Sequence, residues 1–144
     1  MAGDLTLQNA SAFFKLDDTD VSAPLVIKQA QISTTDATQT SVATIAVAED
    51  ELVTIWCMIS AFQDDGSESY SAIKAGSFSR DAGGNVAIVG SVTDVHEAED
   101  SDGAPDFTMQ ADTTAQTVDL DFTGVAATNY AVKLTYIYMK QGVA

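Results

Sequence analysis

From Gln29 to the end of the chain, apolar and polar residues alternate in short runs separated by clusters of Asp, Gly, Asn and Ser. A period of two broken by such clusters predicts strands joined by tight reversals. The expected strands are Gln31–Thr34, Thr40–Ala48, Leu52–Phe62, Glu68–Arg80, Val86–Gly90, Val92–Glu97, Phe107–Ala111, Thr117–Phe122 and Tyr130–Met139. The piece from Val42 to Glu97 reads as a β-meander, its turns at Ala48-Glu49-Asp50, Gln63-Asp64-Asp65-Gly66 and Asp81-Ala82-Gly83-Gly84. Turn chemistry supports this, since Asp and Asn bond their own backbone and Gly takes positive φ without strain. No window carries a helical period of useful length. The expected architecture is all-β, an antiparallel sandwich or jelly-roll-like barrel of about eight strands. Residues 1–29 read as an N-terminal arm or as edge strands of the same sheet, and residues 30–144 as the β-sandwich module.

Two segments depart from the one-face-apolar pattern of an ordinary antiparallel strand. Leu52–Phe62 carries Val53, Ile55, Cys57, Ile59 and Ala61 on one face and Leu52, Trp56, Met58 and Phe62 on the other. In the last strand Tyr130, Val132, Leu134, Tyr136 and Tyr138 share a face. A doubly apolar strand is either enclosed at the centre of a core or covered on its second face by another subunit. The second explanation is the one expected here, with Leu52, Trp56, Met58, Tyr136 and Tyr138 at the interface of a symmetric homotrimer.

Composition narrows the function classes. With 144 residues and 15.1 kDa the chain suits one domain with one core. Its 21 acidic against 6 basic side chains give a net charge of -15. That charge disfavours nucleic acid and anionic membrane as partners. The first residues, Met1-Ala2-Gly3-Asp4, lack a basic n-region and an apolar h-region, and no apolar run approaches the roughly 18 residues of a membrane span. The expectation is a product made and assembled in the cytosol.

Candidate chemistry is sparse. Cys57 is the single cysteine and lies in an apolar run, where a thiol acts as a small hydrophobe. His96 is the single histidine, so every Ser-His-Asp or Cys-His arrangement would have to use it, and its neighbours Glu97 and Glu99 read as an exposed strand-end cluster. Gly83-Gly84 lacks the lysine and following helix of a phosphate loop. The acidic runs Asp17-Asp18-Thr19-Asp20 and Asp100-Ser101-Asp102-Gly103 offer hard oxygen ligands, but the twelfth position counted from Asp100 is Ala111, where an EF-hand requires Glu. An irregular calcium site stays open; no catalytic residue, metal ligand or cofactor is expected, and the chain does not read as an enzyme.

The string SFSRDAGGNVAIVGSVTDVHEAED and the later TVDLDFTGVAATNYAVKLTYIYM resemble a β-module of tailed-bacteriophage virion proteins, found at tail-fibre ends and as small head proteins. The matching features are Phe78 and Arg80 before the Gly83-Gly84 turn, Val86 to Val89, Gly90-Ser91, the Glu97 to Asp100 loop and the Thr123-Gly124 step, with Ile32 to Thr38 as the entry strand. Where the family often has Trp in the last strand, this chain has Tyr130, Val132 and Lys133. The resemblance implies a virion structural protein, a capsid decoration or cement protein bound to the major capsid protein or another virion protein. Attachment would then run through the N-terminal residues Leu5, Leu7, Phe13, Phe14 and Leu16. The alternative use of the module is a tail-fibre or head-fibre adhesion module that binds a host receptor or glycan, with Trp56, Tyr70, Tyr136 and Tyr138 as stacking aromatics.

Overall fold

A computed structural model describes residues 13–14, 25–100 and 105–142. The strands in chain order are β1 (Phe13–Phe14), β2 (Leu25–Thr34), β3 (Thr40–Ala46), β4 (Glu51–Gln63), β5 (Ser69–Arg80), β6 (Ala87–Ile88), β7 (Thr93–Asp100), β8 (Asp106–Asp112), β9 (Thr117–Thr123) and β10 (Tyr130–Gly142). They form two antiparallel sheets, as the alternation requires. The larger has seven strands in the order β1-β2-β10-β4-β5-β6, with β7 also paired to β5, and the smaller has the order β3-β9-β8. The long strand β4 is central, flanked by β10 along its whole length and by β5 across the Asp64-Asp65-Gly66 turn.

The core lies between the two sheets. The large sheet contributes Val53, Ile55, Cys57, Ile59 and Ala61 from β4, Tyr70, Ala72 and Phe78 from β5, and Tyr130, Val132, Leu134 and Tyr136 from β10. The small sheet answers with Val42, Ile45, Phe107, Met109, Val118, Leu120 and Phe122. Phe122 sits between Tyr70 and Tyr130, each ring centroid 5.8 Å away in tilted or edge-on contact, the geometry that aromatic quadrupoles favour. Cys57 Sγ lies 3.6 Å from Met109 Sδ, joining the sheets at mid-core. Burying a Phe such as Phe122 contributes about 1.5–3 kcal/mol by transfer alone.

Three boundaries differ from expectation. Leu25–Thr34 is one strand, paired with β10 from Thr34–Tyr130 to Val26–Tyr138, so the division expected at residue 29 falls inside β2. The strand is obscured in sequence because its inward positions include Lys28 and Ala30, which weaken the alternation. Residues Glu97 to Asp100, expected as a loop, extend β7 along β5. Their acids are compatible with a strand because β7 is an edge, where charge also blocks unwanted pairing. The expected strand Val86–Gly90 shortens to Ala87–Ile88: Val86 is buried with its N–H held by the Gln116 side chain, and Gly90 turns the chain at a φ of 82°.

Gly124 marks the tightest backbone approach. A Cβ there would sit 2.7 Å from the Asp36 carbonyl oxygen and 3.0 Å from Thr34 Oγ1, so the Thr123-Gly124 step lets the β9–β10 connection pass beside the β2–β3 connection.

Candidate functional site

Alternation along β4 sends Val53, Ile55 and Cys57 inward and leaves Leu52, Thr54, Trp56, Met58, Ser60 and Phe62 on the outer face of the large sheet. Nothing described covers that face. Trp56 is 44% exposed, Phe62 55% and Met139 52%, with Leu52 and Met58 exposed beside them. Register sets the rows across the strands. Ile27, Ile137, Trp56 and Ala75 form one row, and Gln29, Thr135, Met58 and Ile73 the next. A third row runs Gln31, Lys133, Ser60, Ser71 and then Ala98 on β7. The apolar residues thus concentrate along β4, with flanks of Ser, Thr and Gln tied by cross-strand bonds such as Thr54 Oγ1 to Ser77 Oγ at 3.1 Å and Gln29 Nε2 to Thr135 Oγ1 at 3.3 Å.

Charge is distributed unevenly on this face. The chain carries a net charge of -15, yet the outward positions of β2, β10, β4 and β5 hold no carboxylate and a single charged side chain, Lys133. On β7 the positions that share this face are His96 and Ala98, while Glu97 and Glu99 alternate to the other side, opposite Ala72 and Tyr70. Two shallow depressions lie on the face. One of about 560 Å³ is bordered by Gln29, Gln31, Met58, Lys133 and Thr135. The other, about 600 Å³, is floored by Ser60, Ser71, Ala98 and Ala131 between Lys133 and Glu99. Neither converges polar groups as a small-molecule site does.

A polar cluster lies inside the opposite face of the same sheet edge. Lys74 points inward from β5, its side chain 9% exposed, and its Nζ lies 3.2 Å from Asp94, 3.5 Å from Asp106 and 3.9 Å from Glu97. Burial alone would lower the pKa of this ammonium, but the Asp94 hydrogen bond and the charges of Asp106, Glu97 and Asp94 outweigh burial and leave it raised. Beside it the Tyr70 hydroxyl donates to Glu97 Oε1 at 2.7 Å and accepts from the Phe107 N–H at 3.1 Å. Burial, then the Glu97 bond, raises the pKa of Tyr70. These groups link β5 and β7 to β8, and their work is to fasten the two sheets.

On the small sheet Asp121 is buried. One of its oxygens accepts from Gln39 Nε2 at 2.8 Å and Gln110 Nε2 at 2.9 Å, while Oδ1 is without a hydrogen bond among the described residues. Cys57 is enclosed by the core, and burial pushes its thiol up to about 12, which keeps it protonated and unreactive at neutral pH. His96 is exposed on β7 opposite Ile73, with no nucleophile or metal ligand set around it among the described residues.

Of the interface residues expected from sequence, Leu52, Trp56 and Met58 lie together on the open face. Tyr136 does not. It is 5% exposed within the core, because the Tyr130-to-Tyr138 face of β10 is the inward one. Tyr138 packs at the core rim, stacked on Tyr136 at 6.1 Å with Lys28 Nζ 5.8 Å from its ring. Tyr70, expected as a stacking aromatic in the adhesion alternative, is likewise buried. Leu5, Leu7 and Leu16 lie outside the described residues, as do the side chains of Phe13 and Phe14, whose backbone pairs with Val26 and Leu25. The acidic run Asp17 to Asp20 and the segment 101–104 also lie outside them. Sequence reading passed over Ile137, Met139 and Lys133 as members of the face. Their shared parity was visible, but joining it to the outer parity of β4 requires knowing that β10 and β4 are neighbours.

No family model matches the chain, and no curated protein matches it. Among solved structures, the crystal structure of the tailspike protein of Acinetobacter baumannii phage AM24 is similar over 78% of this chain and 26% of that one, with 8% identity and a TM-score of 0.42. The chain therefore spans about a quarter of the length of the tailspike chain, and a likeness at this level carries no argument about function.

Proposed function

We propose that the chain is a structural protein of a tailed-phage virion, a head decoration protein that binds the capsid shell as a homotrimer. The observation that carries the assembly part of this reading is the open outer face of the large sheet, apolar along β4 and free of carboxylates on a chain with a net charge of -15. A monomer gains nothing from keeping Trp56, Met58, Phe62 and Met139 in water, and contiguous apolar patches of this kind mark protein interfaces. The virion part rests on the sequence resemblance around Gly83-Gly84 and Thr123-Gly124. Attachment to the shell is assigned to residues 1–21, through Leu5, Leu7, Phe13, Phe14 and Leu16. With one of the four aromatics, Trp56, substantially exposed, the open face is poorer in stacking platforms than the adhesion alternative needs.

The test adds purified chain to phage heads that lack it and follows co-sedimentation, with isolated tails and host envelopes as the other arms. Saturable binding to heads, lost on removal of residues 1–21, supports the proposal. Binding to envelopes but not to heads would replace it with the adhesion module.

A further inference from the structure

We infer that the outer edge of β2 is a strand-accepting surface and that residues 5–12 of the same chain occupy it, continuing β1 in the register it already has. The inference goes beyond the proposed shell attachment, because it says where these residues lie in the free chain, before any shell is met.

The first observation is the edge itself. β2 closes one side of the large sheet, and among the described residues only Phe13 and Phe14 pair along its outer side, at Val26 and Leu25. From Ile27 to Thr34 its described partner is β10 alone. Natural sheets deter pairing at such an edge with charge, proline, a bulge or shortness. β7, on the other side of the sheet, follows that rule with Asp94, Glu97 and Glu99. β2 does not: LVIKQAQIST holds no carboxylate and no proline, and its ladder with β10 runs without a bulge from Thr34 to Val26. An edge of this kind pairs with whatever strand reaches it first.

The second observation is the register. Phe13 pairs with Val26 and Phe14 with Leu25. An antiparallel ladder advances one residue on each strand, so its continuation sets Ala12 opposite Ile27, Gln8 opposite Gln31, Leu7 opposite Ile32 and Leu5 opposite Thr34. Ile32 and Thr34 lie in the inward rows with Val132 and Tyr130, and Gln31 and Ser33 in the outward rows with Lys133 and Ala131. Leu5 and Leu7 thus fall in rows of the core side, and Thr6 and Gln8 in polar rows of the open face. A slip of one residue would invert every position. Asn9 and Ser11 fall in the rows of Ala30 and Lys28, and Lys28 is already exposed. Ala30 and Ile32 are only partly buried against the core, so the inward side of this edge has apolar surface left to cover.

The third observation selects the occupant. β1 already holds the segment at the edge, and extending a ladder in place adds no new loop to close. A strand from another molecule would have to displace it and lose the entropy of association as well. Occupation by the chain's own residues also withholds the edge from other copies.

The experiment is a register-specific disulfide in the full chain. Gln8→Cys with Gln31→Cys sets two thiols directly opposite, within disulfide reach, whereas Gln8→Cys with Gln29→Cys sets them on a diagonal about 7–8 Å long. Gln29 and Gln31 are exposed and Cys57 is buried, so the changes spare the core and the native thiol gives no background. Under oxidised glutathione at low protein concentration the first pair should close at least about tenfold faster than the second, into a product of single-chain mass. Equal rates would mean a segment without register, and a two-chain product would mean that another copy supplies the strand; either overturns the inference. The virion role is judged apart from it, by co-sedimentation with heads.

Discussion

Tyr70→Phe removes one oxygen atom from the seam between the sheets and should cost far more than a surface change. The hydroxyl donates to Glu97 at 2.7 Å and accepts from the Phe107 N–H at 3.1 Å, and Tyr70 is 2% exposed. Glu97 is 40% exposed at its side chain, so water can replace part of its lost bond, for a cost of about 1 kcal/mol. The Phe107 amide is buried on β8 and has no such recourse; an unpaired buried donor costs about 1–3 kcal/mol. The expected loss is therefore about 2–4 kcal/mol. With a urea m-value of about 2 kcal/mol/M, the midpoint should fall by roughly 1–2 M at pH 7 with m unchanged. The ring is retained, so its packing on Phe122 is a constant of the comparison. A midpoint shift below about 0.3 M would refute the assignment of Tyr70 as the polar link between the sheets.

Alkali should destabilise the fold through buried acids that keep their protons. Cys57 is pushed up to about 12 from 9.0 by burial, so the thiol stays protonated in the fold and ionises in the unfolded chain; stability is full below pH 9 and falls by about 1.4 kcal/mol per pH unit toward pH 12. Tyr70 and Tyr136, both raised chiefly by burial, add to the slope above pH 10. Urea titrations at stepped pH should show the slope reduced by about one proton in Cys57→Ala, and an unchanged slope would count against a protonated buried thiol. Gly124→Ala should destabilise by about 1–3 kcal/mol, because its Cβ would meet the Asp36 backbone oxygen at 2.7 Å. Gly83→Ala has open space and pays only for its φ of 67°, about 1 kcal/mol, so thermal melts that rank Gly83→Ala as the more damaging would contradict the packing at Gly124.

Strand positions were largely legible because alternation and turn residues are local signals. Val53, Ile55 and Cys57 alternate cleanly, and β4, β5, β8 and β9 fall close to where the pattern puts them. Orientation was not legible where both faces of a strand are apolar. Parity groups Tyr136 with Leu134 and Ile137 with Met139, but hydrophobicity cannot say which group points inward. Pairing decides it, since β10 inserts between β2 and β4 and turns its tyrosine face toward the small sheet. The same long-range order creates the row from Lys133 to Ala98, whose members are spread across the chain and meet only through three registers. Lys74 was invisible for a different reason. A lysine at an inward position reads as an interruption until Asp94, Glu97 and Asp106 are seen around it.

The central claim is that the outer face of the large sheet is an assembly surface, and the most direct test is the solution mass of the full chain beside Trp56→Arg. Trp56 is 44% exposed and its indole stands outside the core, so the substitution should leave the unfolding free energy of the separate chain, compared at dilutions where both proteins are monomeric, within about 0.5 kcal/mol of wild type. Light scattering should give the wild type about three times the 15.1 kDa of one chain and Trp56→Arg the mass of a single chain. Equal masses for the two proteins, whether both oligomeric or both monomeric, would contradict the claim.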